Sequence, residues 1–178
     1  MVYSINGMVQ NGCCLSKVNI VKALGRSLSH IINCMNSKIV GCGALFYTLD
    51  TKRFLLLHRT QSKQNNVWGL VGGTTTSDKN LWDGLQREIK EEIGEQSIKK
   101  TIPMETFVSN DENFLYHTYL CVVEKEFIPI LNTEHDGYAW VTFGNWPKPL
   151  HQGLRKTFQN KTNQIKLDTV FKMLKLIK

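Results

Sequence analysis

Arg87, Glu88, Glu91 and Glu92 crowd into one short stretch of the 178-residue chain, and a glycine pair, Gly72-Gly73, stands a short loop upstream. Carboxylates gathered in this way hold a divalent cation or move protons. At about 100° per residue the segment Asn80 to Ile93 forms a helix with Leu81, Trp82, Leu85, Ile89 and Ile93 on one face. On that wheel Glu92 falls about 20° from Leu85, and Glu88 and Glu91 flank it. The acids therefore border the face that must pack on the rest of the domain. At ~5 Å and an effective dielectric near 20, each ionised pair repels by about 3 kcal/mol. Arg87 pairs with Glu91 at i+4, but one guanidinium does not neutralise three carboxylates. A divalent cation does, and oxygen-only ligation suits magnesium or manganese. The alternative is an ordinary charged solvent face. The overlap of the acids with the core boundary and the glycine-containing loop leading into the helix weigh against it.

The elements that position this helix follow from pattern. Ile39 to Leu49 and Arg53 to His58 are apolar, β-compatible runs joined by the turn Asp50-Thr51-Lys52, which predicts a hairpin. Val67 to Val71 reads as a short strand running into a flexible loop at Gly72-Gly73. Ser77 or Asp78 is expected to cap the acidic helix and Gly94 to end it. Further strands are expected around Thr106 to Val108, Phe114 to Glu124 and Gly137 to Phe143, with a proline-punctuated connection at Asn145 to Pro149. Leu167, Val170, Phe171, Leu174 and Ile177 predict a terminal helix, and Leu15 to Ile32 carries a helical stripe of its own. The sum is an α/β or α+β domain, a mixed sheet sandwiched between helices, over residues 37–178, with a helical extension over 1–36.

Composition bounds the partners. A 42% apolar content supports a core without staples, and a formal charge of +7 favours anionic partners. The tail lysines Lys161, Lys166, Lys172, Lys175 and Lys178 read as the solvated face of a helix. Cys13, Cys14, Cys34, Cys42 and Cys121 form no C-x-x-C pair and read as reduced intracellular thiols. With no apolar run of ~20 residues and no signal-peptide pattern, a cytoplasmic protein is expected.

Gly73, five residues, Lys79, seven residues, then Arg87-Glu88-Ile89-Lys90-Glu91-Glu92-Ile93-Gly94 resembles the Nudix box, G-x5-E-x7-R-E-U-x-E-E-x-G-U, in spacing throughout. Trp68 and the glycine pair stand where that family commonly shows a tryptophan and a double glycine, and Leu57-His58-Arg59 resembles its second core strand. The resemblance covers residues from about 38 to 150. It implies a strand-loop-helix holding one to three magnesium ions through Glu88, Glu91, Glu92 and the Gly73 carbonyl, with Arg87 orienting a glutamate. It also implies an extra acid from a facing loop, for which Glu134 is the candidate and Glu112 the reserve. Lys79 replaces the first glutamate of the pattern and Glu95 its final aliphatic residue, which points to fewer ions or to a site that binds without cutting. His135 and His151 read as solvated loop histidines, and Trp146, Tyr138 and Tyr116 as core aromatics rather than base-stacking ones.

The resemblance implies metal-dependent hydrolysis of a diphosphate linkage in a nucleoside diphosphate joined to another moiety. The partner is then a nucleotide or nucleotide-sugar type substrate, with an RNA 5′ end and a homodimer both compatible. The rival reading is a catalytically silent Nudix-fold module that binds a nucleotide or RNA.

Overall fold

The computed structural model of the protein describes residues 38–60, 66–75 and 80–176. The helical stripe over Leu15 to Ile32, the capping candidates Ser77 and Asp78, and Lys79 lie outside them. The frame is a seven-stranded mixed sheet: β1 (Ile39–Thr48), β2 (Arg53–Arg59), β3 (Val67–Gly69), β4 (Val71–Thr75), β5 (Lys100–Val108), β6 (Phe114–Val123) and β7 (His135–Thr142). Among the described residues three helices accompany it, α1 (Leu81–Ile93), α2 (Gln152–Gln159) and α3 (Lys161–Leu176).

The hairpin expected at Asp50-Thr51-Lys52 is present, and Lys52 turns it at φ 61°. Away from the turn β1 and β2 diverge, because their only register partners are Tyr47 and Phe54. The fork is filled by one stretch of chain: Val67 to Gly69 pairs with β2, and Val71 to Thr75 then pairs antiparallel with Val40 to Ala44 of β1. Gly72-Gly73 is thus strand rather than flexible loop, since the β1 ladder takes up its backbone groups. On its other edge β1 runs parallel to β6 over its whole length, and β7 covers β2.

Both faces of the sheet are covered, so β1 and β2 read as nearly continuous apolar runs rather than alternating ones. On one face Cys42, Ala44, Phe46, Leu55 and Leu57 pack against Leu85, Ile89 and Ile93 of α1. On the other Leu45, Tyr47, Phe54 and Leu56 pack against Leu154 and Phe158 of α2 and Leu167 of α3. Strand β5 begins at Lys100, earlier than the expected Thr106, and carries an irregularity between Pro103 and Glu105. α2 is an unexpected element. Its N-terminus is capped by His151, whose Nδ1 accepts from the Gly153 N–H at 3.2 Å. Trp146 lies flat on Phe158, ring centroids 3.9 Å apart, so it is a core residue as expected. Among the described residues no helix is long and apolar enough to cross a membrane.

Candidate active site

Helix α1 is capped at its start by Asn80, whose Oδ1 accepts from the Asp83 N–H at 3.5 Å, and at its end by Gly94 with φ 79°. The cap is therefore Asn80, in place of the expected Ser77 or Asp78. The apolar stripe sets the rotation of the helix, and that rotation grades the three acids. Glu92 is buried with 4% of its surface exposed, Glu88 is half-buried, and Glu91 leaves 54% of its side chain in solvent.

The glycine pair lets strand β4 close on this helix. Gly72 takes φ +140°, and a Cβ there would stand 2.2 Å from the Cys42 carbonyl oxygen. At Gly73 a Cβ would stand 2.6 Å from Oε2 of Glu88. Only glycine allows the first backbone approach, and only glycine leaves the Glu88 carboxylate its place beside the strand. The Gly72 N–H donates to Oε2 of Glu92 at 2.8 Å.

Burial pushes the Glu92 carboxyl up to about 8; the Gly72 bond and the Arg59 charge oppose the rise, and the charges of Glu88 and Glu134 add to it. Burial also raises Glu88, against the pull of Arg87 and with the push of Glu91 and Glu134. Arg87 donates from Nη2 to Glu88 at 2.6 Å and from Nη1 to both Glu91 oxygens at 3.4 Å. It is thus bonded to two of the three helix glutamates. No three His, Cys, Asp or Glu side chains among the described residues close on one point as a metal site.

Glu134 is exposed on the turn before β7, tied back where its carbonyl accepts from the Thr60 N–H at 2.9 Å. Its charge reaches both Glu88 and Glu92. The reserve candidate Glu112 sits in the β5–β6 turn with φ 56° and is not among the charges that act most on those two acids.

Three residues depart from their expected place, the first being Tyr138, which is exposed on β7 rather than held in the core. His135 is no solvated loop histidine: it is 5% exposed, and burial together with Arg59 pushes its imidazole down to about 4. His151 is half-buried and also shifted down, by burial and by Arg59. Arg59, at the end of β2, therefore acts on Glu92, His135 and His151 alike, yet no ion pair among the described residues involves it. The sequence holds a signal for it, a cation that closes the apolar strand on the same phase as Leu55 and Leu57. Tyr116 covers Gly41 and Gly43, where a Cβ would meet its ring at 2.6 Å and its hydroxyl oxygen at 2.3 Å, and burial raises that hydroxyl well above the usual tyrosine range.

A strand, a double glycine and a helix that turns two half-hidden acids toward the strand are thus built from one continuous stretch of sequence. Residues 39–161 match the family model described as the NUDIX domain. The chain belongs to the Nudix hydrolase family. It is 33% identical over 118 residues to dihydroneopterin triphosphate diphosphatase of Haemophilus influenzae, across 55% of this chain and 70% of that protein. It is 33% identical over 86 residues to nucleoside triphosphatase NudI of Escherichia coli, of which it spans 60%. Of Nudix hydrolase 7 of Arabidopsis thaliana, 37% identical over 60 residues, it spans 21%. Among solved structures a MutT Nudix hydrolase of Burkholderia pseudomallei superposes with a TM-score of 0.58 at 24% identity, over 70% of this chain and 98% of that one. The Nudix domain of Shewanella oneidensis NrtR complexed with ADP ribose superposes with a TM-score of 0.60 at 14% identity, over 80% and 99%. These two likenesses establish the Nudix fold.

Proposed function

We propose that the protein is a magnesium-dependent Nudix hydrolase that cuts a diphosphate linkage in a nucleoside diphosphate joined to another moiety. The observation that carries this reading is Glu92, a carboxylate buried against the Gly72 N–H with the charges of Glu88 and Glu134 bearing on it. Such a group is held at a cost unless a cation joins it.

The donor set fits a hard divalent ion. Its donors are carboxylate oxygens and a backbone carbonyl, and the space that a Gly73 side chain would fill is kept for Glu88. Glu88, Glu91, Glu92 and the Gly73 carbonyl would hold the ion, magnesium or manganese. When bound it acidifies water and offsets the charge that develops on the diphosphate. Glu134, exposed and with its charge bearing on Glu88 and Glu92, would accept a proton from the attacking water. Arg59 supplies a fixed positive charge beside Glu92 for a phosphate oxygen, and Arg87 keeps Glu88 and Glu91 aligned. The relatives named as acting on dihydroneopterin triphosphate and on nucleoside triphosphates, and the ADP ribose of the NrtR complex, support a nucleotide-type substrate.

The test is product release followed by phosphorus NMR over a panel of nucleoside diphosphate derivatives and nucleoside triphosphates, with magnesium and with chelator. Cleavage of at least one class that stops in chelator is expected. Tight binding across the panel without cleavage in any metal would replace this reading with that of a silent binding module.

A further inference from the structure

Strands β2 and β7 pair residue for residue from Arg53↔Thr142 to His58↔Gly137, and then the register slips so that Arg59 faces His135. Asp136 is the extra residue of this bulge, and its Oδ1 lies 2.6 Å from Nδ1 of His58. A bulge of one residue exchanges the faces of the strand beyond it. His135 is thereby carried onto the face that Arg59 shares with Leu55 and Leu57, beside it as a cross-strand partner.

The protonation of His135 follows from its neighbours. Oδ1 of Asn132 accepts from the Glu134 backbone N–H at 3.0 Å, a donor that cannot be reversed, so the Asn132 amide has a fixed orientation. The same Oδ1 lies 3.0 Å from Nδ1 of His135. An amide oxygen only accepts, so Nδ1 carries the proton and Nε2 is left as a bare lone pair. That Nε2 is buried with no hydrogen-bond partner among the described residues, and so is Nε of Arg59, which only donates. One orphan acceptor and one orphan donor stand on cross-strand partners. Each left alone carries a desolvation penalty, and each is the complement of the other.

We infer that His135 is a positioning residue: one water joins its Nε2, which accepts, to the Nε–H of Arg59, which donates, and so fixes the guanidinium whose charge acts on Glu92. This rests on the hydrolase reading for the task of Arg59, which is to meet a substrate phosphate with its two terminal nitrogens. With Nε tethered, those nitrogens point one way, and the fork geometry of the guanidinium keeps its order cost low. The Asn132–His135–Arg59 chain then links the turn that carries Glu134 to the cation that serves the phosphate, so base and anchor move together.

Two conservative variants separate this role from bulk packing. His135→Asn keeps a polar group near the place of Nδ1 and loses the acceptor at Nε2; His135→Gln does the reverse. In the metal-free, substrate-free full chain labelled with 15N, Arg59→Lys identifies the Nε–H resonance of Arg59. That proton is expected to exchange with water at least about tenfold more slowly than those of exposed arginines, to lose this protection in His135→Asn and to keep most of it in His135→Gln. For whichever substrate the wild type cleaves, His135→Asn is expected to raise KM by about tenfold with a smaller change in kcat, to be rescued by His135→Gln, and to add little in an Arg59→Lys background. An Arg59 Nε–H that is unprotected in the wild type, or equally protected in the two variants, overturns the inference, as does additivity with Arg59→Lys. Because the exchange measurement needs neither metal nor turnover, it stands whatever the substrate panel returns.

Discussion

Burial and the charges of Glu88 and Glu134 move the Glu92 carboxyl from its ordinary 4.5 to about 8, and stability responds with a definite sign. The native state binds the additional proton, so the contribution of Glu92 is present in full below its unfolded pKa and is lost as pH rises through the folded one. In chelator, Glu92→Gln never ionises and escapes that loss. Its melting temperature is expected to exceed that of the wild type by several degrees near pH 8, with the gap closing toward pH 5; a gap that stays flat over this window contradicts the assignment. Saturating magnesium is expected to raise the wild-type melting temperature and to leave Glu92→Gln nearly unmoved, because an ion that binds only the folded carboxylate stabilises by mass action. This residue was legible from the helical wheel alone, since its angle to Leu85 placed it inside the apolar stripe. Arg59 and His135 were not legible as a pair. Their meeting depends on a one-residue slip between distant strands, which leaves no local mark in the sequence.

Between strand and helix the two glycines have separable tasks. Gly72→Ala forces a Cβ to 2.2 Å from a backbone oxygen at a φ of +140°, and neither can give way. A loss of about 2–3 kcal/mol of stability is expected, checked by urea unfolding. Gly73→Ala meets Oε2 of Glu88 at 2.6 Å, the far end of a side chain that can swing aside. It is expected to cost under about 1 kcal/mol of stability and to lower kcat/KM by about a hundredfold, since Glu88 leaves its place. The reverse ranking of the two variants contradicts this division. Composition hid the strand here: Gly72-Gly73 reads as loop because glycine has low strand propensity, and only the β1 ladder shows what the pair is for. The helix α1 showed plainly through its apolar period and Gly94. The helix α2 did not, because eight residues with only Leu154 and Phe158 buried make too short a stripe to stand out.

In the molecule as a whole the sheet divides two cores of different consequence. Leu85, fully buried, belongs to the core beneath α1, and Trp146 packs in the one beneath α2 and α3. Leu85→Ala and Trp146→Ala are each expected to cost about 2–5 kcal/mol. At a temperature where both remain folded, Leu85→Ala should also lose activity by loosening the acid-bearing helix, whereas Trp146→Ala should keep a near-normal magnesium dependence. Equal losses of activity from the two sides contradict a site built on α1 alone. The layered fold itself was legible, because continuous apolar strands beside amphipathic helices leave few other arrangements; that the acids lie on the α1 face of the sheet followed from the helical wheel. On the proposed reading the buried acid of α1 makes this Nudix domain a metal-dependent hydrolase. It is tested most directly by turnover of the substrate that the wild type cleaves best, measured for Glu92→Gln at saturating magnesium after its fold has been verified. A fall of at least about a thousandfold is predicted, as for the loss of a group that stabilises charge at the transition state; a folded Glu92→Gln protein turning over at the wild-type rate would contradict the account.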